Sequence, residues 1–259
     1  MFDNTCKFIA EMYSPDFATW LLGEPITLTK LSPTELSLEP IRADALILLQ
    51  SDEVVLHIEF QTEPDDDMPF RMADYRLRVY RRFPNKRMHQ VVIYLAKTES
   101  EKVYQTTFTT ESLRHEFSVI RLWEQPSEIF LATPGLLPFA VLSATENKVA
   151  TLQLSAAAID QIADRRTQSN IAAASAILAG LVLEQDVIGR LFRKDIMRES
   201  VIYQSILSEG KEEGIEVGVH RVAVNLLKEK IPIEMVSKVT GLTIEQVQSL
   251  LITDVEQSE

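Results

Sequence analysis

A chain of 259 residues that is 46% hydrophobic can bury one good-sized core with room for a smaller module, which excludes a disordered protein. No apolar run is long enough to cross a bilayer, the N-terminus MFDNTCKFIAEMYS lacks the pattern of a secretory signal, and the single cysteine, Cys6, offers neither an internal disulfide nor a metal cluster, so a cytoplasmic setting without membrane contact is expected. The formal net charge of −12 argues against non-specific coating of nucleic acid and restricts any such site to a local basic patch.

Taken in chain order, residues 3–22 carry apolar side chains at helical spacing and predict a helix interrupted at Ser14-Pro15 and closed by Gly23-Glu24-Pro25. Residues 34–39 predict a short strand, and residues 43–50 and 54–62 predict two more around a turn at Ser51-Asp52. An acidic loop, residues 63–67, leads through Pro69 into a helix that ends near Phe83-Pro84, and its carboxylates suit the positive end of that helix. This helix holds the basic patch: Arg71, Arg76, Arg78, Arg81 and Arg82, then Lys86 and Arg87 just beyond, opposed only by Asp74. HQVVIYL, residues 89–95, reads as a central strand. Residues 103–110 and 115–123 predict a further strand pair, followed by a proline-punctuated stretch and then mostly helix from about 148 to 230. Gly210, Gly214 and Gly218 line one side of a polar helix, where a self-association element and a poorly ordered tail are the competing readings. Two short helices around Gly241 close the chain, with Thr243 and Gln246 as a capping box for the second. This terminal pair has the outline of a helix-turn-helix, but one lysine against five carboxylates from Ile231 onward suits an interaction module better than a DNA reader.

The hairpin carries the chemistry. A two-residue turn at Ser51-Asp52 would oppose Leu48 to Val55, Leu46 to His57 and Asp44 to Glu59. One face is then wholly apolar, with Ala43, Ala45, Ile47, Leu49, Val54, Leu56, Ile58 and Phe60, while polar groups gather at one end of the other. Asp44 and Glu59 would share a small volume, where like charges repel and a divalent cation such as Mg²⁺ or Mn²⁺ removes the conflict. Gln61 points the same way and can hold a water or a phosphate oxygen. The alternative is a solvated strand face on which these groups simply meet water.

Asp44 followed by Glu59-Phe60-Gln61 after a hairpin, in a helix, three-strand, helix, strand order, resembles the PD-(D/E)XK restriction-endonuclease-like core, an α/β fold, here with a helical C-terminal extension. With FDNTCKF, RADALILL, VVLHIEFQT, PFRMADYRLRVYRR, VVIYL, GLLPF and TGLTIEQV in that order, the chain is similar to the Rpn family of recombination-promoting nucleases and transposase-like proteins in its cyanobacterial form. The resemblance implies a nuclease-like domain over 1–125, a mainly helical extension over 126–208 and an interaction module over 209–259. It implies that Asp44, Glu59 and the carbonyl of Phe60 hold Mg²⁺, or Mn²⁺, and that Gln61 stands where related nucleases carry a lysine. Glutamine orients water but supplies no positive charge. On the first helix Asp3, Lys7 and Glu11 occupy positions where such folds often place an acidic residue near the metal, with surface and capping roles as the alternative. Arg71, Tyr75, Arg78 and Arg82 would contact DNA phosphates, against an ordinary solvated face. The expected activity is metal-dependent DNA cleavage linked to recombination by a homo-oligomer. The alternative is a weak or inactive nuclease fold acting as an interaction module.

Overall fold

The computed structural model describes residues 2–30, 46–192 and 194–249. The strand expected at 34–39 and the residue Asp44 lie outside the described residues. The chain divides into two compact units, Met1–Tyr203 and Gln204–Glu259.

The first unit is built on a mixed five-stranded sheet. Two helices precede it, α1 (Phe2–Met12) and α2 (Ser14–Leu22), parted where Pro15 follows Ser14. Gly23 closes α2 in the left-handed region at φ 82°, which glycine adopts without steric cost. Strands β1 (Thr29–Lys30), β2 (Leu46–Gln50) and β3 (Val54–Gln61) pair antiparallel. Helix α3 (Met68–Arg82) then crosses to β4 (Arg87–Tyr94), which runs parallel to β3.

The hairpin register differs from the expected one by two residues: Leu46, not Asp44, lies opposite Glu59, and Leu48 lies opposite His57. The cause is local. The Ser51 hydroxyl accepts from the backbone N–H groups of Glu53 and Val54, and Ser51 N–H donates to the Val54 carbonyl, so the turn residues are Asp52 and Glu53. A slip of two residues keeps every side chain on its face, and Leu49, Val54, Leu56, Ile58 and Phe60 are buried as the alternation requires.

Both faces of β3 are covered, which removes the solvated-face alternative. On the apolar face Phe17 of α2, Phe60 and Phe139 meet, with the Phe60 and Phe139 rings stacked at 5.7 Å. On the other, α3 lays Tyr75 and Val79 against Leu48 and Val55, and Met68 and Met72 against Val92 and Tyr94.

Residues 103–123 do not form one strand pair. Strands β5 (Thr107–Thr109) and β6 (Arg114–Glu116) form a separate two-stranded ribbon, and β7 (Ser118–Arg121) joins the main sheet parallel to β4. Phe117, buried between β6 and β7, anchors this change of sheet. After α4 (Ser127–Leu131), a buried 3₁₀ segment, Pro134–Leu142, packs against α2, α5 (Lys148–Asp160) and α6 (Arg165–Ala179). Helices α7 (Gln185–Leu191) and α8 (Lys194–Met197) follow. At Gly135 the backbone N–H donates to Asp16 at 2.8 Å, and an added Cβ would lie 2.5 Å from Cβ of Tyr13. Gly135→Ala is therefore expected to cost about 1–3 kcal/mol of stability, read from the midpoint of urea unfolding.

Most of the long helix α9 (Val201–Lys228) belongs to the second unit, and around Gly210, Gly214 and Gly218 a built Cβ would meet open space, with nothing of the described residues within 4 Å beyond their own helical backbone and chain neighbours. Helix α10 (Ile233–Thr240) ends at Gly241, and Ala223, Val236 and Val247 form a small core. The capping box is present in both directions: Thr243 N–H donates to Gln246 Oε1 at 2.9 Å and Gln246 N–H to Thr243 Oγ1 at 3.2 Å. No helix among the described residues is long and apolar enough to cross a membrane.

Candidate functional site

Glu59 is the pivot of the polar cluster. Its position near the end of β3 turns the side chain under α3, where the carboxylate is fully buried. Burying an unpaired carboxylate is prohibitive, so its partners define the site. Arg71 Nη2 lies 3.1 Å from both Glu59 oxygens, and Arg71 Nη1 reaches Asp65 at 3.1 Å. Burial works against the Arg71 charge, but Glu59 and Asp65 outweigh it and raise the group above its ordinary value.

A second partner lies two residues back on the strand. The Gln90 amide nitrogen donates to the Met72 carbonyl at 2.7 Å and meets His57 Nδ1 at 3.0 Å. With Nδ1 accepting, the imidazole proton is assigned to Nε2. That nitrogen is 3.4 Å from Glu59 Oε1 but off the line a hydrogen bond needs, so the contact is electrostatic and the N–H has no hydrogen-bond partner among the described residues. Tyr75 closes the cluster edge-on to the His57 ring at 5.0 Å, and burial first, then the Glu59 charge, raises its hydroxyl above the usual value. Gln90→Leu would strand buried His57 Nδ1 and remove the second hydrogen bond on the Met72 carbonyl, which keeps its helical one, and is expected to cost about 1–3 kcal/mol, measurable by thermal or urea unfolding.

The third element is α1. Asp3 lies in its first turn, Oδ1 is buried without a hydrogen-bond partner among the described residues, and its carboxyl is raised by burial, an effect that the N-terminal charge opposes and Glu59 more weakly reinforces. Two hard carboxylates thus sense one another, and one has an orphaned oxygen. Mg²⁺ is typically held by one or two carboxylates and several waters, so this donor set fits such an ion. No group of three or more His, Cys, Asp or Glu residues with metal-binding placement occurs among the described residues, so Glu59 and Asp3 would be joined by water or by a backbone carbonyl. Gln61 O accepts from Leu95 N–H on the β4 side, so by strand alternation the Phe60 carbonyl turns toward the β2 side. Arg71 is the competitor: it already supplies positive charge to both Glu59 oxygens.

The remaining expected residues are dispersed. Gln61 ends β3, half-buried. Arg78 donates from Nε to Asp74 at 2.8 Å, Glu11 pairs with Lys30 at 3.0 Å, and Lys7 sits half-buried on α1. Tyr75 faces the core, which leaves it unsuited to a phosphate contact. Arg82 is exposed near the opposite end of the sheet, beside the hairpin turn. Sequence reasoning missed Arg71 as the Glu59 partner and missed Gln90 altogether. A glutamine inside HQVVIYL was the available signal, since an amide in a buried strand must find partners.

Comparison of the chain with known protein families, with curated proteins and with solved structures gave no match.

Proposed function

We propose that the chain is a divalent-metal-dependent nuclease with a PD-(D/E)XK-like core, hydrolysing DNA phosphodiester bonds in a recombination or transposition setting. The observation that carries this reading is the fully buried Glu59 carboxylate near the end of β3, with α1 packed against that strand and its Asp3 Oδ1 buried without a hydrogen-bond partner among the described residues. The antiparallel hairpin, crossing helix and parallel fourth strand support it as the surrounding frame.

Glu59 and Asp3 would hold Mg²⁺ or Mn²⁺, with Asp44 and the Phe60 carbonyl as further ligands. Bound there, the ion would supply Lewis acidity and a water of lowered pKa. Gln61 would orient that water through its amide, Arg71 balances the Glu59 charge, and His57, held by Gln90, keeps Nε2 in electrostatic contact with the carboxylate at 3.4 Å without a hydrogen bond. Incubating the full chain with supercoiled plasmid and Mg²⁺ or Mn²⁺ tests the reading. Nicked circles dependent on metal are expected, and plasmid left intact with either metal contradicts it.

A second reading, a nuclease fold without cleavage activity that acts through self-association, is favoured by one observation. Arg71 already occupies both oxygens of Glu59, as a built-in cation would. Failure to cleave, together with a stable oligomer by light scattering, supports this alternative.

A further inference from the structure

Near the opposite end of β3 from Glu59, roughly 17 Å along the strand at about 3.3 Å per residue, a cleft of about 470 Å³ opens between the hairpin turn and the C-terminal end of α3. It is large enough for a small ligand or one nucleotide. Its charged lining residues are Arg82, Lys86 and Asp52, two cations against one carboxylate, so the lining carries a net charge of +1 in a chain of −12.

Both cations line the cleft and meet the same ring: Phe83 lies 4.6 Å from Lys86 Nζ and 5.7 Å from Arg82 Cζ, within cation–π range of each. Lys86 Nζ donates to Gln50 Oε1 and to the Ser51 carbonyl, both at 2.8 Å. Both acceptors are neutral, and an ammonium has three N–H groups, so the charge is uncompensated and one donor remains. Among the described residues neither Arg82 nor Lys86 has a carboxylate within 4 Å, whereas Arg71 and Arg78 each do. The Ser51 hydroxyl accepts two backbone N–H bonds, which leaves its proton to donate elsewhere.

Carbonyls at a helix C-terminus disfavour an anion. Here Phe83 N–H takes the Val79 carbonyl at 2.7 Å as the last helical bond, and the positive charges of Arg82 and Lys86 at this end offset the remaining carbonyls.

We propose that this cleft binds a phosphate group, held by Arg82 and Lys86 with the Ser51 hydroxyl as a neutral donor. The site does not depend on the cleavage reading, because it shares no residue with the Glu59 cluster. The phosphate comes either from a nucleic-acid backbone or from a free phosphate ligand, and two probes separate them.

The full chain is titrated in EDTA, so that metal plays no part, with a fluorescent oligo(dT), with inorganic phosphate as its competitor, and separately with inorganic phosphate alone by calorimetry. Saturable oligonucleotide binding is expected, with Arg82→Glu losing about tenfold or more in affinity, worth about 1.4 kcal/mol. Arg82→Ala should lower the slope of log affinity against log salt by about 0.7, and Arg82→Lys should retain most of the binding. Arg82 is exposed, so these variants should unfold at the wild-type midpoint. Displacement by millimolar inorganic phosphate supports a free phosphate ligand, and binding that only the oligonucleotide shows supports a backbone phosphate. No binding of either probe by the wild-type chain, or equal binding by Arg82→Glu, overturns the proposal.

Discussion

Replacing Arg71 with methionine is expected to lower the free energy of unfolding by about 3–5 kcal/mol, the cost of breaking a buried ion pair from one side. Glu59 is wholly buried, and both its oxygens accept from the same Arg71 nitrogen. His57 Nε2 at 3.4 Å is misaligned and cannot replace that cation. A methionine fills similar space but strands a charged carboxylate under α3. The double variant Arg71→Met, Glu59→Leu removes both charges and is expected to lie closer to wild type than Arg71→Met alone, because a well-packed apolar pair is often as stable as a buried salt bridge. Urea unfolding of the three proteins measures this. An Arg71→Met protein that unfolds at the wild-type midpoint would show that Glu59 draws its compensation elsewhere.

Glu59→Gln should separate function from fold. The amide keeps one oxygen for Arg71 and nearly the same volume, and Arg71 retains Asp65, so the loss of stability is expected to be near 1 kcal/mol. Cleavage is different, because the proposed site relies on the negative charge of Glu59 beside Asp3. Plasmid nicking is therefore expected to fall by about 100-fold or more. A variant that is folded but inactive assigns the role to charge at this position, and one that nicks at the wild-type rate removes Glu59 from the reaction.

How much of this was visible in the sequence follows from what each pattern encodes. The faces of β3 were legible because side-chain direction alternates with period two, and that alternation survives any even slip. Register was not legible for the same reason: a slip of two residues leaves the pattern of VVLHIEFQT unchanged, and the difference was made by the Ser51 hydroxyl in the turn. Helix limits at Gly23 and Gly241 and the Thr243/Gln246 box were legible because they rest on local backbone chemistry. At the site, the oddity of Glu59 was plain, but its partners were not. Arg71 is reached only after an acidic loop and a helical turn, and Gln90 only across a parallel strand pair, distances that residue spacing does not encode. The arginines of α3 looked alike in sequence, yet Arg71 and Arg78 are tied to carboxylates while Arg82 meets the Phe83 ring beside a cleft.

If Glu59 belongs to a divalent-metal site, as proposed, calorimetric titration of Mn²⁺ into the full chain detects the ion binding there. Saturable binding is expected for the wild type, weakened about 10–100-fold by Asp3→Asn and lost in Glu59→Gln. Absence of binding to the wild type, or undiminished binding to Glu59→Gln, would contradict a metal site at Glu59.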